Sequence, residues 1–324
     1  MSKVLVFEFF QCILVIVFDV LRSVYKFFIQ FIYPNYKSIQ NEKVLITGAG
    51  SGIGRLLCKK LVDKGCIVVG VDIDSEALLE TKRIINTSTN NNNNIFIYTC
   101  DIRFKANIIK LRKYVEDYVG HIDILINNAG IVHGKSLLDL SESEIKETFD
   151  VNTFSNFYTI QEFLPSMLTR SHGHIVFVTS IAGCVTSPQL SDYCASKAAT
   201  NMLSETLLTE LRFYHKNKNI NVTTVLPFFV KTGMFTGCCS KINWLLPDLE
   251  TDYVAIKIVE AIMKNQIILC ISRLMYFIVV LKSIMPVSSL HEFYKLSGAN
   301  EILKSFKNVR RQERLNNYKQ ICSL

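Results

Sequence analysis

No two of the ten cysteines in this 324-residue chain form a C-x-x-C pair. That absence argues against a metal site or a disulfide framework. The thiols are scattered from Cys12 to Cys322, several inside apolar runs, as buried free cysteines in a reducing compartment would be. Zinc-finger spacings, RNA-binding signatures and long basic stripes are missing too. The net charge of +8 and pI near 8.9 therefore point to an anionic membrane surface rather than to nucleic acid. A cleavable leader is not expected in the apolar segment at the start, which is too long and too aromatic for a signal-peptide core and has no A-x-A-like site after it.

What is present is apolar. Hydrophobic residues make up 49% of the chain and mean hydropathy is +0.24. The first segment, "KVLVFEFFQCILVIVFDVLRSVYKFFIQFIYP", carries its polar residues at Glu8, Gln11, Asp19, Arg22, Lys26 and Gln30, one narrow stripe on an otherwise apolar helix. Its longest uncharged stretch, Phe9 to Phe18, is shorter than the roughly 20 residues of a membrane span. We expect residues 1–40 to form a membrane-associated helix or helical hairpin lying in one leaflet; a tilted single span and a buried core helix are the alternatives. Arg22, Lys26, Lys37 and Lys43 would hold the rest of the chain on the cytosolic side.

From Lys43 the pattern changes. "KVLITG", "CIVVGVD", "IFIYTCD", "DILINNAG", "HIVFVTS", "NVTTVLP" and "QIILCIS" are short apolar runs bounded by turn residues and separated by helix-length segments. Seven near-continuous apolar strands joined by helices predict an α/β, Rossmann-type, doubly wound parallel sheet over residues 41–275. The run Asn86 to Asn94 interrupts it as a low-complexity loop insertion. Residues 276–324 hold an apolar helix, against a membrane or over a pocket, and then a basic tail.

"KVLITGAGSGIG" runs from a strand into Gly48, Gly50, Gly52 and Gly54 and on into a helical stretch. Glycines there let the backbone approach a pyrophosphate, whose charge meets the N–H groups and dipole of the helix. Asp72 ends the second strand about twenty residues beyond Gly52. A carboxylate there accepts hydrogen bonds from a ribose 2′-hydroxyl and repels a 2′-phosphate. NAD is therefore expected over NADP, with no basic neighbour in sequence to argue otherwise.

"SDYCASK" sets Tyr193 and Lys197 four residues apart, on one face of a helix. A cation beside a phenol favours the phenolate and makes it a usable proton acceptor. Many solvated helices carry Y-x-x-x-K by chance, so its weight comes from the rest of the chain.

Thr47 to Gly54, "NNAG" at Asn127 to Gly130, Asn152 in "DVNTF", Ser180 in "VTS" and the Tyr193/Lys197 pair, in this order, resemble the short-chain dehydrogenase/reductase family from about Lys43 to Arg273. The resemblance implies that Tyr193 exchanges a proton with the substrate oxygen while hydride passes to or from the nicotinamide. It also implies that Lys197 lowers the Tyr193 pKa and holds the nicotinamide ribose, Ser180 bonds the substrate oxygen, and Asn152 anchors a water leading from Lys197 to solvent. Cofactor contacts carried over are Ser51 and Ile53 in the glycine turn, Asp101 and Ile102 at the adenine, Asn128 beneath the cofactor, and Val230 with Thr232 at the nicotinamide amide. Phe228 departs from the pattern, where glycine often follows the proline.

"LPFFVKTGMFTGC", "SRLMYFIVVLKSIMP" and the apolar start are similar to a membrane-bound subgroup of that family, the retinol dehydrogenases of the 10 and epidermal-2 types and the 17-beta-hydroxysteroid dehydrogenases of the 11 type, with the 10 type nearest. The subgroup implies a lipophilic alcohol, all-trans-retinol first, oxidised at an endoplasmic reticulum or lipid-droplet surface; Phe228 to Leu246, rich in Phe and Leu with one Trp, is expected as the lid of its pocket. The alternative within enzymes is a hydroxysteroid dehydrogenase or lipid carbonyl reductase. The alternative from another class is a non-catalytic lipid-droplet scaffold, which a replaced Tyr193 or Lys197 would favour; neither is replaced. A homodimer paired through helices around Asn152–Leu168 and Tyr193–Leu211 is expected by family likeness.

Overall fold

Each of the seven apolar runs forms a strand in the computed structural model, which describes residues 3–32, 36–88, 94–235 and 246–297. Residues 89–93 of the asparagine run, 236–245 of the expected lid with Trp244, and the basic tail lie outside the described residues. The chain divides into two units, Met1–Ser38 and Ile39–Leu324. In the first, α1 (Lys3–Ile32) is one continuous helix of 30 residues, so no hairpin forms. Every side chain from Phe7 to Arg22 on it is exposed. Among the described residues no helix is long and apolar enough to cross a membrane.

The second unit is one parallel sheet of β1 (Lys43–Thr47), β2 (Ile67–Asp72), β3 (Ile95–Thr99), β4 (Ile124–Asn127), β5 (Gly173–Val178), β6 (Ile220–Pro227) and β7 (Ile268–Ile271), in the order β3-β2-β1-β4-β5-β6-β7. The helices between them are α2 (Gly52–Asp63), α3 (Ser75–Ser88), α4 (Lys105–Tyr118), α5 (Glu142–Phe149), α6 (Ser155–Arg170), α7 (Ser191–Phe213) and α8 (Thr251–Met263). Successive strand side chains point to opposite faces, and both faces are covered. Val44, Ile46, Ile124, Ile126 and Val176 pack with Leu57 and Leu61 of α2 and Val254 and Ile258 of α8. Leu45, Leu125, Ile175 and Phe177, from the same strands, pack with Leu111 of α4, Phe163 and Met167 of α6 and Leu211 of α7. Burial of each such side chain stabilises the fold by about 1.5–3 kcal/mol. Register follows: Leu45 lies opposite Val69 and Leu125, keeping each face uniformly apolar.

Strand order reverses between β1 and β4, and the loops leaving their carboxyl ends diverge into a crevice, the place where open α/β sheets bind ligands. At the opposite, amino ends of the strands the polar groups pair with one another. There Asp123 accepts from the Lys43 N–H (3.0 Å) and from Arg170 Nη1 (2.6 Å). His172 Nε2 lies 3.1 Å from Glu42. Beyond β7 come α9 (Leu274–Ile284) and α10 (Val287–Ser297), so the expected boundary at 275 falls in the first turn of α9. Met275 and Ile278 of α9 are buried with Ile181, Leu226 and Leu246. Lys282 Nζ donates to the Cys184 carbonyl (2.5 Å) and Thr186 Oγ1 to the Tyr294 hydroxyl (2.9 Å). The two helices thereby tie down the loop after β5.

Candidate active site

β1 ends in a turn that only glycine can build. Gly48 has φ +70°, and a Cβ on it would stand 2.9 Å from Ala129 Cα; a Cβ on Gly54 would meet the Gly48 carbonyl oxygen at 2.0 Å. The turn is bolted to the β4 loop: Thr47 Oγ1 accepts from the Asn128 and Ala129 N–H groups (3.0 and 3.1 Å), and Asn128 Nδ2 donates to the Thr47 carbonyl (2.9 Å). Ser51 offers the start of α2 no side-chain cap, so the first N–H groups of that helix are left to the crevice, which Ser51, Gly52 and Ile53 line. Asp72 is held ready: its Oδ2 accepts from the Gly50 N–H (2.9 Å) and its Oδ1 from the Asp74 N–H (3.1 Å). Sequence shows no basic residue beside Asp72, but the structure brings Arg55 to the same turn. Its Nη2 donates to the Gly50 and Ala77 carbonyls and its Nε to Thr81 Oγ1 (2.9 Å). Those acceptors are neutral, so Arg55 braces the turn.

Tyr193 and Lys197 do share a face of α7, with Lys197 Nζ 5.6 Å from the Tyr193 ring centroid. Both are buried, at 5% and 4% exposure. Lys197 Nζ donates to the Val178 carbonyl (3.3 Å), and Tyr193 is hydrogen-bonded to Ser180. The expected lowering of the phenol pKa is outweighed by burial. Burial raises the Tyr193 phenol above its ordinary value against the pull of the Ser180 hydrogen bond, and brings the Lys197 ammonium down to about 8. Ser180 Oγ accepts from the Ala182 N–H (3.1 Å) as it caps a short turn.

Asn152, 1% exposed, sits in a π-helical turn, Asp150–Phe154, between α5 and α6. Its side chain brackets Ile131, accepting from that N–H (2.8 Å) and donating to that carbonyl (3.0 Å). Its carbonyl accepts from Thr200 Oγ1 (2.8 Å) and Asn156 Nδ2 (2.6 Å). Around the phenol, Val132, Leu190 and Tyr193 form an apolar cluster with Ala182, Cys194 and Met234 packed on it.

One cleft gathers nearly all of the expected positions. Gly48, Ser51, Gly52, Ile53, Asp72, Asp101, Ile102 and Asn128 line it, and so do Ser180, Tyr193, Lys197, Val230 and Thr232. Gly54 and Asn152 stand behind the wall, as supports. Phe228, where the pattern favours glycine, also lines the cleft, and its N–H donates to the Ile271 carbonyl (3.1 Å). Cys100 lines it as a thiol that burial pushes up to about 11, hence protonated and inert. Met234 falls within the expected lid, whereas sequence reading missed Arg103 and Glu147. Arg103, two residues past Asp101, could have been suspected from its place after a strand; Glu147 has no local signal, being brought in from 44 residues away.

A Cβ on Gly48, Gly50 or Gly54 of the turn would clash, an ordered carboxylate faces it, and a buried phenol, hydroxyl and ammonium share the same cleft; these residues fit a nicotinamide dinucleotide, which when bound supplies the hydride acceptor or donor. They define an NAD(P)-dependent oxidoreductase. The chain belongs to the short-chain dehydrogenase/reductase family: the short chain dehydrogenase pattern matches residues 42–242. It is 41% identical over 270 residues to short-chain dehydrogenase/reductase family 16C member 6 of Bos taurus, covering 83% of this chain and 84% of that one. It is 42% identical over 253 residues to epidermal retinol dehydrogenase 2 of Homo sapiens, covering 78% and 81%. With retinol dehydrogenase 10 of Homo sapiens identity is 34% over 308 residues, covering 88% and 90%. The likeness to the 10 type therefore reaches further along the chain but is weaker in identity than the likeness to the epidermal type. Among solved structures, a short chain dehydrogenase/reductase from Burkholderia phymatum in complex with NAD superposes with a TM-score of 0.68 at 25% identity, covering 76% of this chain and 94% of that one.

Proposed function

We propose that the protein oxidises a lipophilic alcohol of the retinol type to its carbonyl with NAD, at a membrane surface facing the cytosol. The carrying observation is the apolar cluster of Val132, Leu190 and Met234 set directly on the buried Tyr193, in a chain similar to named retinol dehydrogenases. An apolar wall at the reacting oxygen suits a polyene alcohol and keeps bulk water away, so the proton must travel by side chain. Tyr193 takes it in the phenolate form, Ser180 supplies a fixed hydrogen bond to the reacting oxygen, and Lys197 carries the positive charge that favours that form over the neutral phenol. Asn152 props Ile131 in the cleft wall. Asp72, already oriented by two backbone N–H groups, supports NAD over NADP.

The exposed apolar side chains of α1, such as Phe9, Ile16 and Leu21, support residues 1–40 as an anchor lying along one leaflet of the endoplasmic reticulum or of a lipid droplet. Residues 41–275 are then the dehydrogenase domain and 276–324 its C-terminal extension. Exposed Phe154, Phe157 and Met202 on the α6 and α7 side support a homodimer there. The test is NADH formation at 340 nm by liposome-reconstituted protein with all-trans-retinol, with NAD and NADP in parallel and the Tyr193→Phe variant beside it. Turnover with NAD that vanishes in the variant is the expected result. Dinucleotide binding without turnover of retinol overturns the substrate reading, and NADP preference overturns the Asp72 argument.

A further inference from the structure

Two charged side chains that line the cleft have no part in the reading above. Arg103, 30% exposed, turns back on Asp101: Nε donates to Oδ1 (2.9 Å) and Oδ2 (3.1 Å), and Nη2 to Oδ2 (2.6 Å). The Arg103 N–H adds a bond to Oδ1 (3.1 Å), and Asn107 Nδ2 holds the Asp101 carbonyl (3.1 Å). From the other side, Arg103 Nη1 donates to Glu147 Oε1 (3.1 Å). Glu147 is itself well placed, because α5 begins with a reciprocal cap: Ser141 Oγ accepts from the Glu144 N–H (3.3 Å) and Glu144 Oε2 from the Ser141 N–H (3.0 Å).

A planar guanidinium gripping both oxygens fixes the plane of a carboxylate, which a lone ammonium would not do. The charge string Asp101–Arg103–Glu147 therefore joins the turn after β3 to α5 across the mouth of the cleft. We propose that Arg103 is a positioning residue that sets the base specificity of the dinucleotide: it locks the Asp101 carboxylate so that a 6-amino purine is accepted and a 6-oxo purine is refused. The inference rests on Asp101 meeting the adenine, as the family likeness implies. A fixed carboxylate accepts from an amino group at position 6 and repels a carbonyl oxygen there. A carboxylate free to swing can turn away from that oxygen, so loss of the lock weakens adenine binding and relaxes refusal together.

The test is binding of reduced dinucleotides to the full chain, followed by nicotinamide fluorescence, with NADH against its hypoxanthine counterpart. One hydrogen bond to a charged group corresponds to about tenfold or more in Kd, and the unaltered protein is expected to prefer NADH by at least that factor. Arg103→Met is expected to cut the preference to about threefold or less. Glu147→Gln, which leaves the Asp101–Arg103 pair in place, should lower it part of the way and guards against a folding defect in the first variant. A merely structural Arg103 would weaken both dinucleotides equally and leave their ratio unchanged, which overturns the proposal. Asp101→Asn separates the two layers. If it alters the ratio and neither other variant does, Asp101 reads the base without Arg103; if none alters it, the adenine contact itself is wrong.

Discussion

The two edges of the sheet use the same kinds of side chain for different ends. At the amino edge Glu42, Asp123, Arg170 and His172 answer one another, Asp123 taking a backbone N–H and a guanidinium at once. At the carboxyl edge the phenol, hydroxyl, ammonium and carboxylates are each anchored on one side by protein and turned on the other toward a cleft. Burial runs deeper at the carboxyl edge, where Tyr193 and Lys197 are enclosed, than at the amino edge, where His172 is half exposed. What separates structure from chemistry here is whether polar groups close on themselves or leave a face toward a shared space.

That contrast is breakable. Tyr193→Phe should lower the rate with any alcohol by about 10²–10⁴-fold while dinucleotide Kd and melting temperature hold; a variant that keeps most of its activity would remove the phenol from the reaction. Next in size, Gly54→Ala puts a Cβ 2.0 Å from the Gly48 carbonyl. NADH binding should weaken by at least about tenfold, as titration of nicotinamide fluorescence would show. Asp123→Ala at the amino edge strands Arg170 and the Lys43 N–H. It should cost about 2 kcal/mol, seen as a lower melting temperature, with KM and kcat unmoved; a changed KM would mean the edges are not independent.

The smallest effect concerns pH. Lys197 ionises at about 8 in the folded protein against an ordinary 10.5, so between those values the unfolded chain binds the extra proton and stability rises with pH. The Tyr193 phenol, raised in the folded state, works the other way above its ordinary value of 10. Between pH 8 and 10 the wild type should therefore gain melting temperature relative to Lys197→Met, and parallel curves for the two would show that the ammonium pays no burial penalty.

How much of this was visible in the chain depends on whether the cause was local. Strands and the glycine turn are written in short runs whose periodicity and backbone needs are set by neighbours in sequence, so all seven strands and the turn appear where expected. Tyr193 and Lys197 meet because a helix fixes the interval of four. Arg55 at the turn of Asp72 and Glu147 against Arg103 come from packing between distant elements, and no spacing rule announces them. The same holds for charge: "SDYCASK" shows the cation beside the phenol but not the burial that raises the phenol. Gly54 and Asn152 lie outside the lining of the cleft, since a motif marks a position without saying which side of a wall it occupies.

Lys282 and Tyr294 reach back to Cys184 and Thr186, on the loop between Ser180 and Tyr193. Shortening the chain after Arg273 to improve its handling would thus remove more than an apolar tail. It would cut two guy ropes on the pocket, and a truncated protein assayed for alcohol preference would be reporting on a different enzyme.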